Sequence, residues 1–231
     1  MPNAARFLEV ACFSPESAFI AADAGAHRIE LCGGPFSSGG LTPSLTDLQA
    51  VKKATEIPVH VMIRPRAGRF VYTSDEIGTM MQSIAAMKEW ADAFVFGVLS
   101  DDGKLDVEQC KQLLSAAGDT PCVFHRAVEC VNDSGQVYDL IKELGFSGVL
   151  TGGRSSAAVN SVAELTELTQ RHETSGLQII LGGGIRACNV RTLLKHTSAK
   201  WYHTSALVNG QSIASFDEIS QLLGIIADGR N

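Results

Sequence analysis

The chain has no basic run and no stripe of Lys or Arg. Its charges of both signs are scattered along 231 residues and sum to −6. Nothing in it would track the phosphates of a nucleic acid, so no nucleic-acid partner is expected. Long hydrophobic runs are missing as well: no apolar stretch nears the ~18 residues that a membrane span requires. The opening MPNAARFLEVACF lacks the basic start, apolar stretch and small-residue cleavage site of a secretory signal. The expectations are no membrane association and a cytoplasmic location. The six cysteines (12, 32, 110, 122, 130 and 188) form no CxxC pair and no compact scaffold spacing, which reads as reduced thiols. HExxH, GxSxG, Walker and Rossmann patterns are absent. No lysine falls at a strand end, which argues against Schiff-base chemistry. No linker or low-complexity segment divides the chain, so one domain over 1–231 is expected.

What is present is alternation. Short apolar, β-branched runs at 6–12, 28–32, 58–64, 93–99, 121–128, 148–152, 178–182 and 201–207 read as strands. Amphipathic stretches at about 15–24, 44–54, 74–90, 106–116, 134–144, 159–171, 187–195 and 215–227 read as helices. Ser14-Pro15, Thr42-Pro43-Ser44 and Ser74 supply start signals, and Gly25, Gly118 and Gly145 supply stops. Eight strand–helix units in this order predict an α/β fold of the (β/α)8 TIM-barrel type, with a doubly wound open sheet as the rival.

Polar residues recur inside the strands, and their parity assigns them a side. In PVHVMIRPR, His60, Met62, Arg64 and Arg66 share one parity while Val59, Val61, Ile63 and Pro65 share the other. The first set then faces the barrel interior and its C-terminal mouth. Arginines there need acidic or anionic company. Glu9 and Glu30 lie mid-strand on the first two strands, close enough to form one network with Arg64. His125 late in strand five, Thr151 ending strand six, and His203 and Ser205 in strand eight add to that face. A ligand pocket and a structural salt-bridge cluster are the two readings. His125 or His203 would serve as a base, and Glu9 or Glu30 as an acid, although no specific motif supports those roles.

The LGGGI segment after strand seven places Gly183 and Gly184 where barrels often bind phosphate, with Ser205 nearby; it reads equally as a tight turn. The glycine- and serine-rich loop after strand two reads as a lid over the mouth or as a plain surface loop. Cys12 and Cys32 end strands one and two. Two neighbouring thiolates would suit Cu(I), whereas unpaired buried thiols are the commoner case. Alternation sets Cys12 opposite to Glu9, so it faces inward only if the chain has left the strand.

LEVACFSPESA, HRIELC, GGLTPS, IPVHVMIRPRAGRFVY, FHRA, VLTGG and GGGI followed by HTSA together resemble the copper homeostasis protein CutC family, in order from about residue 7 to 206. The resemblance implies a (β/α)8 barrel, a cytoplasmic homo-oligomer (dimer or tetramer) and a part in copper homeostasis through Cu(I) binding. It carries Cys12 and Cys32 over as the metal ligands and implies no organic cofactor. Two places depart from the pattern: Ala67 stands where a glycine is usual, and the segment after strand eight is short. The second weakens the anion site near Ser205 relative to the arginines. The alternative is a barrel enzyme or sensor for a small anionic metabolite, phosphate- or carboxylate-bearing, bound at the mouth.

Overall fold

Eight parallel strands pair in chain order and close, β8 returning to β1. The computed structural model describes residues 5–132 and 135–228. The strands are β1 (Phe7–Cys12), β2 (Arg28–Leu31), β3 (Val59–Met62), β4 (Ala93–Phe96), β5 (Cys122–Phe124), β6 (Gly148–Thr151), β7 (Gln178–Leu181) and β8 (Trp201–Thr204). Between and after them run α1 (Pro15–Asp23), α2 (Leu45–Ala54), α3 (Ser74–Met87), α4 (Val107–Ala117), α5 (Val137–Glu143), α6 (Val162–His172), α7 (Val190–His196) and α8 (Phe216–Asp228). The (β/α)8 expectation is met. The expected start of the fifth helix, at 134, lies outside the described residues. Among the described residues, no helix is long and apolar enough to cross a membrane.

Local chemistry sets the element ends. Ser14 caps α1, with Pro15 opening it, and Ser44 caps α2 through its bond from Asp47 N–H. Helix α3 begins at Ser74 as expected, but its cap lies one residue before the expected signal: Thr73 forms a reciprocal box with Glu76. The strands are shorter than the apolar runs suggested, because β3, β4 and β5 stop pairing at Met62, Phe96 and Phe124.

Two packed layers follow from the period of two along each strand. Outward-facing Leu8, Val10, Ile29, Leu31, Val59, Val61 and Phe94 meet the helices in one large apolar layer. Inside the barrel, Cys32, Met62, Val95, Val123, Leu150 and Ile180 form a smaller cluster. Full burial of such a side chain contributes roughly 1.5–3 kcal/mol, so the outer layer carries most of the fold's apolar stabilisation. The lumen is therefore free to hold polar groups.

Candidate functional site at the barrel mouth

The lumen floor is built by register. Pairing sets Glu9 beside Arg28 on one side and beside His203 on the other, and sets Glu30 beside His60. Arg28 Nε donates to Glu9 Oε2 at 2.5 Å, and its guanidinium lies 3.7 Å over the Trp201 ring. His203 sits between the two carboxylates, its Nδ1 2.6 Å from Glu9 Oε1 and its Nε2 3.3 Å from Glu30 Oε2. His60 Nδ1 is 3.6 Å from Glu9 Oε2. Glu9, Arg28, Glu30 and His60 are all buried.

Burial and charge divide these groups between protonation states. Burial alone would raise both carboxyls. At Glu9 the charges of Arg28, His203 and His60 outweigh it and hold the carboxylate ionised, far below the usual range. At Glu30 burial prevails, helped by the charge of Glu9 against the pull of His203, and its carboxyl is pushed up to about 7. Burial pulls His203 down, but Glu30 and Glu9 more than offset that and raise it. His60 is driven down to about 4, chiefly by burial, and stays neutral. One imidazolium thus bridges two carboxyl groups, and a buried arginine balances the ionised one.

Above this floor opens a cavity of about 260 Å³. Glu30, Cys32, Met62, His125, Leu150 and His203 line its depth, and Phe13, Phe36, Phe70, Arg126 and Arg186 its walls and rim. Gly183, Gly184 and Ser205 also line it. His125 caps the short 3-10 turn Arg126–Cys130, its Nδ1 accepting from Ala127 N–H at 3.3 Å, and packs 4.7 Å from the Phe70 ring. Gly97 makes room for it, since a Cβ there would stand 2.7 Å from His125 Nδ1. Burial pulls His125 down to about 3, with the charge of Arg64 adding to the effect.

Four expectations need correcting or refining. Arg64 does not join Glu9 and Glu30. It is buried, and its guanidinium donates to the carbonyls of Ser38, Gly40 and Gly68 and stacks over Phe70. Arg66 points away from the lumen, paired with Glu76 and lying over Tyr72. The reason is common to both: the strand ends at Met62, so its parity no longer governs the residues beyond. Thr151 faces the helix layer, where its hydroxyl meets Tyr138 Oη and accepts from Gly153 N–H. Cys12 belongs to the outer apolar layer, its Sγ toward Val10 O, whereas Cys32 belongs to the lumen cluster. Burial pushes both thiols well above the usual range, with Glu30 contributing.

Sequence reasoning missed Arg28 and Arg186. Arg28 shares the parity of Glu30 and Cys32, so the signal was there. Arg186 follows the glycine turn, where no periodicity predicts direction. Its guanidinium is held by Ile185 O, Thr204 Oγ1, Ser205 Oγ and Leu207 O. Glu9, Glu30 and His203 could hold a metal, with one ligand atom from each within 4.8 Å of the others. Carboxylates suit hard ions rather than Cu(I), and these atoms already bond one another.

Comparison with known proteins gives a consistent picture. The model of the CutC family matches residues 6–208. The human protein named copper homeostasis protein cutC homolog is 39% identical over 94% of this chain and 79% of its own length. The crystal structure of CutC from Streptococcus agalactiae superposes with a TM-score of 0.81 at 29% identity, covering 87% of this chain and 98% of that one. Phosphoribosyl anthranilate isomerase from Thermotoga maritima shares the fold alone, with a TM-score of 0.67 at 11% identity over 96% and 99% of the two chains.

Proposed function

The chain belongs to the CutC family, and from that premise we propose that it serves copper homeostasis in the cytoplasm, with Cu(I) held in the barrel mouth. The observation that carries this reading is the meeting of two soft donors. Cys32 just follows β2 and Met62 ends the adjacent β3, whose register pairs Leu31 with Val61; they share the lumen cluster, and both line the cavity. A thiolate and a thioether are the ligand types that favour Cu(I) over harder ions. Gly40 packs directly over them: a Cβ there would stand 3.0 Å from Cys32 Sγ and 3.6 Å from Met62 Cε.

In the two-thiol form of the site Cys12 would be the partner of Cys32. Its place beneath the helices supports the form with Cys32 and Met62 instead. An anaerobic Cu(I) competition titration separates the two. Cys32→Ser is expected to weaken binding on the order of 100-fold, about 2.7 kcal/mol, and Cys12→Ser to leave it unchanged. Full affinity in Cys32→Ser, or loss in Cys12→Ser alone, would overturn the assignment.

A second reading, a barrel enzyme or sensor for a small anionic metabolite, is favoured by one observation. The guanidinium of Arg186 lines the cavity and meets no carboxylate among the described residues.

A further inference from the structure

The cavity contains polar groups that copper would leave unused. His125 is 4% exposed and lines the mouth. Because its Nδ1 accepts from Ala127 N–H, the proton of the neutral ring sits on Nε2, and that N–H finds no acceptor among the described residues. At the floor, Glu30 Oε1 is likewise buried and without a partner, while Oε2 is engaged by His203. Native proteins rarely leave such atoms unpaired, and both residues line this one cavity.

Across the mouth the chemistry is cationic. Arg126 is neutralised by Glu129, whose carboxylate it grips at 2.8 and 2.9 Å. Arg186 has no such counterpart, and its bonds to Thr204 Oγ1 and Leu207 O, both at 3.0 Å, hold it in place. The backbone N–H groups of Gly183 and Gly184, which line the same cavity, donate to no acceptor among the described residues. On the floor, Glu9 and Glu30 face Arg28 and His203, so the charges there offset one another. The Arg186 charge at the rim meets no carboxylate among the described residues, and it calls for an anion.

We propose that the mouth binds a small hydroxylated oxyanion. Its carboxylate or phosphate would rest on Arg186 and the Gly183–Gly184 backbone, and its hydroxyls would meet His125 Nε2 and Glu30 Oε1. A hydroxyl fits because it accepts from an N–H and donates to a carboxylate oxygen with one atom. The cavity, at about 260 Å³, is far larger than a bare ion and suits a short-chain metabolite. This inference deepens the second reading and rests on it, independently of copper.

The test is calorimetric titration of the full-length, copper-free protein with matched probes. Glycerol 3-phosphate is set against propyl phosphate, and glycerate against propionate, so that the arms separate phosphate from carboxylate ligands. In at least one arm the hydroxylated member should bind saturably and at least tenfold more tightly than its deoxy analogue, as expected when buried polar groups are built to meet a hydroxyl. His125→Phe should bring that ratio close to one, and Arg186→Met should abolish binding. If Arg186→Met does not fold, Arg186→Lys keeps the charge, loses the planar fork, and should bind more weakly than wild type. Equal binding of both members of each pair would overturn the hydroxyl assignment while leaving an anion site standing. No saturable binding by any probe would overturn the anion reading itself.

Discussion

At the scale of single residues, His125 connects geometry to a bulk property. Its ring is enclosed by Phe70, Phe124 and the Gly97 backbone, with the Arg64 charge nearby and no carboxylate against it among the described residues. Its folded pKa, near 3, lies below the unfolded value of about 6.5. Above pH 6.5 both states are neutral and nothing is lost. As pH falls toward 4 the unfolded chain binds a proton that the native ring refuses, so stability drops on acidification. His60, depressed to about 4, acts in the same sense. Glu30 acts in the opposite one over the upper part of that window, from about pH 7 down to 4.5, because its raised carboxyl is protonated first in the native state. Each histidine should contribute on the order of 2–3 kcal/mol of acid lability at pH 4. Denaturant midpoints measured from pH 7.5 to 4 are therefore expected to fall less steeply in His125→Phe than in wild type. Parallel curves would mean that His125 is charged in the folded state. Parity exposed most of these residues in the sequence, since Glu9, Glu30, His60 and His203 alternate with apolar neighbours. It could not reveal which arginine balances Glu9. Arg28 opens its strand and shares the parity of Glu30, but the sequence reading pairs Glu9 with Arg64 instead.

At the scale of elements, the segment after β2 is better described as a pinned cover than as a free lid. Its ends are joined by the bridge between Gly33 and Leu41, and Phe36 meets the Phe13 ring edge-on at 5.4 Å. Arg64 holds its far side through Ser38 O at 2.8 Å and Gly40 O at 3.2 Å. Bonds from a charged donor contribute roughly 1.5–3 kcal/mol each. Arg64→Met, which keeps the bulk and removes the donors, should release the segment while the barrel remains folded. Limited proteolysis should then cleave within residues 33–41 faster than in wild type, at an unchanged global melting point to within a few degrees; an unchanged cleavage rate would show that other contacts hold the cover. The glycines and serines of this segment suggested mobility, and composition alone carries no sign of the arginine that reaches it from just past β3, across 24 positions of sequence. Where elements stop is the other feature that composition hid. The apolar runs read past the points where pairing ends, which is why Arg64 and Arg66 were assigned to a lumen they do not face; Thr151 is still paired and faces out because Leu150 before it points inward.

At the scale of the whole molecule, closing the barrel turns eight separate strand patterns into one interior. The strand–helix alternation was legible because each unit repeats the same apolar period, and the CutC motifs span most of the chain. The working pocket was less legible. It depends on which thiol lies on which side of the sheet, and on side chains after the strands that follow no period. Cys12 and Cys32 stand at equivalent strand ends but belong to different layers, and only Cys32 shares the lumen with Met62. A copper-edge anomalous difference map from crystals loaded with Cu(I) without oxygen tests the central claim most directly. One dominant peak is expected in the mouth, bonded to the sulfurs of Cys32 and Met62. A peak at Cys12, at the Glu9–Glu30–His203 floor, or only at the exposed Cys130 and Cys188 would contradict it.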